Sequence, residues 1–122
     1  MYTGYFAKLK CYNDNDLTPV SISSRSPKWY YKGEYKILAP WPKLIGAYKR
    51  EEVTKEDYTV QFNNYLSTLD QGQILTELKD VFGDLNKIIL VCYEKPDDFC
   101  HRHLVSNWLN EYITDMVEEF IC

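Results

Sequence analysis

The stretch Lys87–Leu109, KIILVCYEKPDDFCHRHLVSNWL, decides the fold expected for this chain. It begins with an apolar, mostly β-branched run and passes through a short polar segment that contains Pro96. From Cys100 onward the apolar residues recur with helical spacing. The stretch therefore predicts a buried strand, a tight loop and a helix.

The loop after this strand is the expected place for a ligand. In open α/β sheets, ligands bind where strands end and the next helices begin, because a helix N-terminus presents unpaired N–H groups and a partial positive charge. The polar residues that the sequence places there are Glu94, Cys100, His101, Arg102 and His103. Of these, His103 is more typical of a partly exposed helix residue than of a catalyst.

Length and charge limit the classes of protein that the chain can represent. A length of 122 residues, 45% of them hydrophobic, fits one domain over residues 1–122. The formal net charge of −4 gives no overall attraction to DNA or anionic lipid, so any contact with nucleic acid has to be local. No apolar segment approaches the ~20 residues that cross a bilayer, and the start of the chain lacks the pattern of a signal peptide. We therefore expect a cytoplasmic protein without a membrane partner.

Aromatic residues make up 16% of the chain, including eleven tyrosines and three tryptophans, which is well above ordinary usage. Tyrosine has an apolar ring and a polar hydroxyl, so part of this excess is expected to line a groove or an interface. The alternative is a tyrosine-rich surface without a partner.

The cysteines predict neither a disulfide framework nor a zinc ribbon. They show no Cys-x-x-Cys spacing and no secretory context, so reduced thiols are expected. Cys92, Cys100, His101 and His103 have the right composition for zinc. However, Cys92 ends a strand whereas the others open a helix, so we expect no metal and no other cofactor. The four cysteines are Cys11, Cys92, Cys100 and Cys122.

The remaining pattern predicts an α/β fold: a single small domain with a mostly parallel sheet flanked by helices, in a Rossmann-like arrangement. Thr54, with an acidic residue three positions later, is typical of a capped helix start, and Gly83 of a helix end. The last strand should join the preceding strand and helix in a parallel crossover. The predicted elements are strands at Tyr2–Lys10, Thr18–Ser24 and Asp115–Ile121, an irregular ordered loop at Arg25–Pro42, and helices at Leu44–Arg50, Thr54–Leu69 and Gln73–Phe82.

The loop Arg25–Pro42 contains basic and aromatic residues close together, notably Arg25, Trp29 and Tyr30. Such a combination resembles a surface that stacks a base and neutralises a phosphate. The alternative is that Trp29 and Trp41 only cap the core, and for Trp41, which lies between prolines, this alternative is favoured.

Arg102 and Arg25 are the predicted anion ligands. A guanidinium in the first turn of a helix, beside free N–H groups, suits a phosphate or carboxylate, and Arg25 ends a neighbouring strand. Glu94 is expected to anchor a sugar or base, or to act as a general base. The alternative for Glu94 is an ion pair with arginine that only holds the loop in place.

Cys100 and His101 are the other candidate catalytic residues. A thiol at a helix start has a lowered pKa and can act as a nucleophile, with His101 as its base. Neighbouring residues of a helix do not generally face each other, however, and the loop of cysteine phosphatases is absent from this sequence.

These motifs resemble those of the domain-of-unknown-function family 488, in which a strand ends in Cys-x-Glu and a later Cys-His-Arg opens a helix. Here the matching residues are Cys92, Glu94 and Cys100–Arg102. The family's second motif, an arginine that closes an early strand before a proline, is matched by Arg25 and Pro27, although Ser24 replaces its usual acidic pattern. The resemblance implies a compact α/β fold with these polar residues clustered at one sheet edge.

Together these observations predict an anion site for a nucleotide or nucleic-acid phosphate, in a small hydrolase or transferase. The alternative is a non-enzymatic protein-binding or regulatory module, in which the tyrosine- and tryptophan-rich loop docks a partner and the Glu-Arg cluster is structural.

Overall fold

The computed structural model describes residues 1–113 and 117–122. Its strands are β1 (Tyr2–Tyr5), β2 (Thr18–Ser21), β3 (Gly33–Glu34), β4 (Ile88–Cys92) and β5 (Glu118–Glu119). Its α-helices are α1 (Leu9–Asp14), α2 (Pro42–Lys49), α3 (Lys55–Leu66), α4 (Gln71–Phe82) and α5 (His101–Asn110). The strands form one sheet in the order β3-β2-β4-β1-β5, and every pairing is parallel. The predicted α/β class with a parallel sheet is confirmed, and the arrangement is Rossmann-like.

Strand β4 lies in the middle of the sheet, and all five of its residues are buried. Ile88 and Leu90 belong to the large core that α2 to α5 cover, whereas Ile89 and Val91 belong to a smaller core around Tyr12 on the other face. A strand buried on both faces needs apolar residues at every position. This need explains the uninterrupted apolar run from which the fold was predicted.

The predicted helix ends are largely confirmed. The Thr54 hydroxyl accepts a hydrogen bond from the Asp57 N–H, and the Asp57 carboxylate accepts one from the Thr54 N–H, so the two residues form a capping box. Helix α4 begins two residues before the predicted Gln73 because Asp70 caps it, and it ends at Gly83, whose φ of 96° favours glycine.

The N-terminal prediction is wrong beyond Tyr5. The chain leaves the sheet there, makes a 3₁₀ turn over Phe6–Lys8 and enters α1. The loose alternation of apolar residues concealed a helix whose Tyr12 is completely buried, with its hydroxyl accepting a hydrogen bond from the Tyr5 N–H. Strand β2 is also shorter than predicted: it ends at Ser21, and the chain then turns away from the sheet.

The segment Arg25–Pro42 is less irregular than predicted, since it contains the edge strand β3 and a 3₁₀ turn at Lys36–Leu38. Strand β3 pairs with the last two residues of β2. A Cβ at Gly33 would overlap the ring of Phe82, so only glycine allows β3 to approach α4 this closely. Neither the short pairing nor the close approach leaves an alternating pattern in the sequence.

The predicted final strand at Asp115–Ile121 is observed only as β5, which pairs with β1 in parallel. Residues 115 and 116 lie outside the described residues. Among the helices that the structure describes, none has the length and apolar character needed to span a membrane.

Candidate functional site

A cavity of about 360 Å³ lies where β2 and β4 end. From β2 the chain continues to β3 at one edge of the sheet, and from β4 it continues across β1 to β5 at the opposite edge. Connections that leave neighbouring strands in opposite directions open a crevice at their carboxyl ends, which is where α/β proteins bind ligands. Ser23–Arg25 after β2, and Tyr93 and Glu94 after β4, line this crevice.

Aromatic rings form one wall of the cavity. Tyr48 of α2, Tyr58 of α3 and Phe99 before α5 line it and contact one another, with ring centroids 5.1–5.6 Å apart. Rings of this kind offer an apolar surface against which a planar base can pack. The fold therefore assembles this aromatic wall from three separate segments.

Two basic residues, Arg25 and Lys49, also line the cavity. Within residues 1–113 and 117–122, neither side chain forms a salt bridge. The Tyr93 hydroxyl donates a 2.7 Å hydrogen bond to the Arg25 carbonyl, which holds the Arg25 backbone beside the end of β4. The cavity thus contains cationic groups that are available to an anion.

Two hydroxyl groups at the cavity have no hydrogen-bond partner in the described part of the chain, and that of Ser23 is itself buried. Ser23 and Tyr58 line the cavity and are each only 5% exposed. Burial, and next the negative charge of Glu94, raise the pKa of Tyr58, so its hydroxyl stays protonated and able to donate. Because buried polar groups are normally hydrogen-bonded, the Ser23 hydroxyl is a candidate ligand contact. The Tyr58 hydroxyl is a second candidate, because it is unpaired and its residue lines the cavity.

Glu94 lies at the mouth of the cavity with an exposed carboxylate. One carboxylate oxygen is 3.7 Å from the Cys92 sulfur, and no described cation forms an ion pair with it. The alternative ion pair with arginine is not formed, since Arg102 bonds instead to the main-chain oxygen of Glu94. The carboxylate therefore remains free to act on a ligand.

The expectation of reduced thiols is wrong for this structure. Cys11 is joined to Cys122, and Cys92 to Cys100, by disulfide bonds. Sequence spacing gave no sign of either pair, because folding brings α1 next to residue 122 and the end of β4 next to the start of α5. In this form Cys100 has no thiol and cannot act as the predicted nucleophile.

His101 lines the cavity although it is only 7% exposed. Its Nε2 lies 2.6 Å from the carbonyl oxygen of Ile22, so Nε2 carries the proton and donates, and Nδ1 lies 3.7 Å from the Cys100 sulfur. Burial, and to a lesser degree the charge of Arg102, lower the pKa of His101 to about 4. The imidazole is therefore neutral near pH 7, and it ties the end of β2 to the start of α5.

Arg102 is completely buried and does not line the cavity. Its guanidinium donates to both carboxylate oxygens of Glu119 at 2.9 and 3.1 Å, and its Nη1 donates to the Glu94 carbonyl at 2.7 Å and to the Cys92 sulfur at 2.9 Å. The expected convergence of Arg25 and Arg102 on one anion is not observed. A buried guanidinium requires a counter-charge, and β5 supplies it through Glu119.

Trp29 and Tyr30 lie away from the cavity. Both pack edge-on against Phe6, at centroid distances of 6.2 and 5.2 Å, in the smaller core on the opposite face of the sheet. The Tyr30 hydroxyl donates to the Gly33 carbonyl, whereas Trp29 remains 60% exposed. Trp41 packs against Tyr65 at the margin of the large core, which is the arrangement favoured for it.

The structure also brings potential metal ligands together. The Cys92 and Cys100 sulfurs and a ring nitrogen of His101 all lie within 4.8 Å of one another. The argument that a strand end and a helix start keep these residues apart is therefore wrong, because the intervening loop returns the chain to the end of β4.

Several residues of the cavity were missed by the sequence argument, including Ser23, Tyr48, Lys49, Tyr58 and Phe99. Ser23 lies two residues before Arg25 and Phe99 one residue before Cys100, so widening each motif by one or two residues would have included them. Tyr48, Lys49 and Tyr58 lie on helices that read as ordinary amphipathic elements, and no local signal distinguishes them.

Comparison with known proteins is consistent with this arrangement. The family model DUF488-N3a, described as the "Active DUF488-N3 subclade", matches residues 15–113. No curated protein and no solved structure matches the chain. The matched region includes Arg25 and the segment Cys92–Arg102, which carry the two motifs, and it covers most of the sequence. The protein therefore belongs to the DUF488 family.

Proposed function

We propose that the cavity binds a phosphate-bearing nucleotide, or the phosphorylated end of a nucleic acid, and that the protein is a small hydrolase or transferase that acts on this ligand. The observation that carries the proposal is the meeting of unpaired cations, an aromatic wall and a free carboxylate at the crevice between β2 and β4. A volume of about 360 Å³ is within the range of small-molecule sites.

Each group has a distinct role in this proposal. Arg25 and Lys49 bind the phosphate, the rings of Tyr48 and Phe99 pack against the base or sugar, and the Tyr58 hydroxyl donates a hydrogen bond. Arg102 contributes indirectly, because its bond to the Glu94 carbonyl holds the backbone from which the Glu94 side chain projects.

Glu94 is the proposed general base. Of the three predicted catalytic residues, it is the one with an exposed polar group at the cavity, whereas Cys100 is disulfide-bonded and His101 is engaged by Ile22. A carboxylate can accept the proton of an attacking water or hydroxyl group. The description of the matching family model as an active subclade supports an enzymatic role. We also propose a cytoplasmic location, although disulfides such as the two of this structure are uncommon there because thiols are kept reduced.

Calorimetry with paired ligands tests the binding proposal. We expect AMP, ADP or a 5′-phosphorylated oligonucleotide to bind, and adenosine and the unphosphorylated oligonucleotide to bind at least tenfold more weakly. Since a hydrogen bond to a charged group contributes about 1.5–3 kcal/mol, Arg25→Ala should lower the affinity about tenfold or more. Lys28→Ala, an exposed charge in the same loop but outside the cavity lining, should leave it unchanged.

Turnover of a bound ligand tests the catalytic part. Glu94→Gln should retain binding and abolish product formation. Equal affinity for phosphorylated and unphosphorylated ligands would contradict the binding proposal, and full activity in Glu94→Gln would contradict the role of Glu94.

A second candidate function is a protein-binding module, and the exposure of Trp29 (60%) and Tyr31 (82%) favours it. In that case Trp29→Ala removes partner capture, while Arg25→Ala and Glu94→Gln leave it intact. This candidate gives a structural role to a cluster of Glu94 and arginine; Arg102 is buried in an ion pair, but its carboxylate partner is Glu119 and not Glu94.

A further inference from the structure

We propose that the reduced protein binds one Zn²⁺ ion through Cys92, Cys100 and His101, with the fourth coordination position facing the cavity. The proposal goes beyond the function proposed above, because it requires no nucleotide.

The donor atoms lie close enough together to share an ion once the two sulfurs, which are bonded to each other here, move apart on reduction. They lie within 4.8 Å of one another, and two sulfur ligands of one zinc ion are at most about 4.6 Å apart, since each Zn–S bond is about 2.3 Å. All three residues are buried, so an ion held there would be shielded from water on the protein side.

The backbone spacing of the two cysteines favours an ion between the sulfurs. The Cα atoms of Cys92 and Cys100 are 7.6 Å apart, whereas those of Cys11 and Cys122 are 6.3 Å apart. Disulfides usually join Cα atoms that are about 4.4–6.8 Å apart. The Cys92–Cys100 pair is thus spaced more widely than a disulfide normally requires, and the other pair is not.

His101 is oriented as a metal ligand should be. Zinc-binding histidines almost always donate their second N–H to a carbonyl or carboxylate, which leaves the other nitrogen with a free lone pair. Here Nε2 donates to the Ile22 carbonyl and Nδ1 lies 3.7 Å from the Cys100 sulfur. The structure already holds the tautomer that a zinc ligand needs.

Arg102 also contacts the Cys92 sulfur. Its Nη1 lies 2.9 Å from this sulfur, and a hydrogen bond of this kind stabilises a thiolate. Because Glu119 neutralises the guanidinium, the cluster can accept a dication without an excess of positive charge.

The ligand set indicates zinc and an open site. Thiolate and imidazole donors favour zinc over magnesium or calcium. Structural zinc sites have four protein ligands, whereas three protein ligands and an open position are typical of catalytic zinc. Cys100 and His101 line the cavity, so the open position is on the ligand side.

Reduction has to precede metal binding. A phosphine attacks one sulfur of the Cys92–Cys100 disulfide, the S–S bond breaks, and both sulfurs take up protons as the phosphine becomes a phosphine oxide with oxygen from water. Zn²⁺ then displaces the two thiol protons, while His101 coordinates without losing a proton.

Metal titration of the phosphine-reduced protein in oxygen-free buffer tests the proposal. We expect one equivalent of Zn²⁺ to bind in competition with a chromophoric chelator, and Co²⁺ to produce a thiolate-to-cobalt charge-transfer band. Cys92→Ser and Cys100→Ser should each weaken Zn²⁺ binding about 100-fold or more. The matched control, Cys11→Ser/Cys122→Ser, should still bind one equivalent.

Alkylation of the reduced wild-type protein avoids any dependence on how the variants fold. Zn²⁺ should protect Cys92 and Cys100 from iodoacetamide and leave Cys11 and Cys122 reactive. Failure to bind Zn²⁺ in competition with the chelator, or the absence of a charge-transfer band, would overturn the proposal. Nucleotide binding is measured separately on metal-free protein, so failure of one proposal is distinguishable from failure of the other.

Discussion

At the residue scale, the two predicted anion ligands illustrate how one side-chain type takes opposite roles. Arg25 is exposed at the cavity and has no ion pair with a described residue, whereas Arg102 is completely buried against Glu119. The sequence located the start of α5, which contains Arg102, whereas the strand before Arg25 ends three residues earlier than predicted. Which side of α5 faces the core, and not the distance from the helix start, decides the role of Arg102.

Replacement of Arg102 should destabilise the protein more than it affects ligand contacts. Arg102→Met leaves the Glu119 carboxylate, which is only 17% exposed, without its partner. Loss of one partner of a buried pair costs about 3 kcal/mol or more. Urea unfolding monitored by circular dichroism measures this loss.

The double variant Arg102→Met/Glu119→Gln is the control, because it removes both charges together. Its free energy of unfolding should fall by less than the sum of the two single changes. If the two changes were additive, the pair would not be coupled and the interpretation of Arg102 would be wrong.

At the element scale, the contact between β1 and α1 depends on a glycine. A Cβ at Gly4 would overlap the hydroxyl and ring of Tyr12 and lie 2.8 Å from Ile89. A glycine within a strand indicates a bend or a close backbone approach, but the sequence does not show which element approaches. The approaching element is α1, whose Tyr12 is completely buried and accepts a hydrogen bond at its hydroxyl from the Tyr5 N–H.

Gly4→Ala should therefore lower the free energy of unfolding by about 2 kcal/mol, because overpacking displaces Tyr12. Gly46→Ala is the matched control in α2. Its Cβ would meet only the flexible end of the Arg50 side chain, so the helix gains alanine's higher propensity without a backbone clash. Thermal and urea unfolding of both variants measure the difference in stability between them. Equal destabilisation would contradict the conclusion that the contact between β1 and α1 requires glycine at position 4.

At the scale of the whole molecule, the Cys11–Cys122 disulfide connects α1 to the last residue of the chain, 111 positions away. A cross-link that closes so long a loop restricts the unfolded chain strongly. In the chain-entropy model, Cys11→Ser/Cys122→Ser should cost about 4–5 kcal/mol.

Urea unfolding without reductant measures that cost, and the difference from wild type should largely disappear once both proteins are reduced. An unchanged midpoint in the oxidised proteins would show that the cross-link does not constrain the unfolded state.

Buried tyrosines predict that the protein is sensitive to alkaline pH. Burial is the main cause that raises the pKa of Tyr12, Tyr30, Tyr35 and Tyr58 in the folded state, and for Tyr35 a hydrogen bond to Glu77 adds to it. In the unfolded chain these groups ionise near pH 10. Their contribution to stability is therefore complete below about pH 10 and is lost as pH rises further.

Urea unfolding between pH 8 and about pH 11 should show this decline. Tyr58→Phe should make the decline shallower, since it removes one of these ionisations. A decline that is identical in the variant would exclude Tyr58 as a contributor.

Much of the fold was predictable because it depends on sequence patterns within single strands, helices and helix ends. The apolar run of β4 reflects burial on both faces of the sheet. The Thr54–Asp57 capping box pairs N–H groups at the start of α3, and Gly83 allows the positive φ at the end of α4. The family motifs around Arg25 and Cys92 are equally local, and both follow strands whose carboxyl ends border the cavity.

The sequence by itself thus determined the α/β class, most helix boundaries to within a few residues, and the strand ends beside which the candidate site lies. Only the tertiary structure decided that Glu119 neutralises Arg102, that Cys92 and Cys100 meet beside His101, and that helical tyrosines, not Trp29, form the cavity wall. The physical reason is that periodicity shows which face of an element is apolar but not which distant segment covers it. Those distant contacts depend on strand order, which brings residues together irrespective of their separation along the chain.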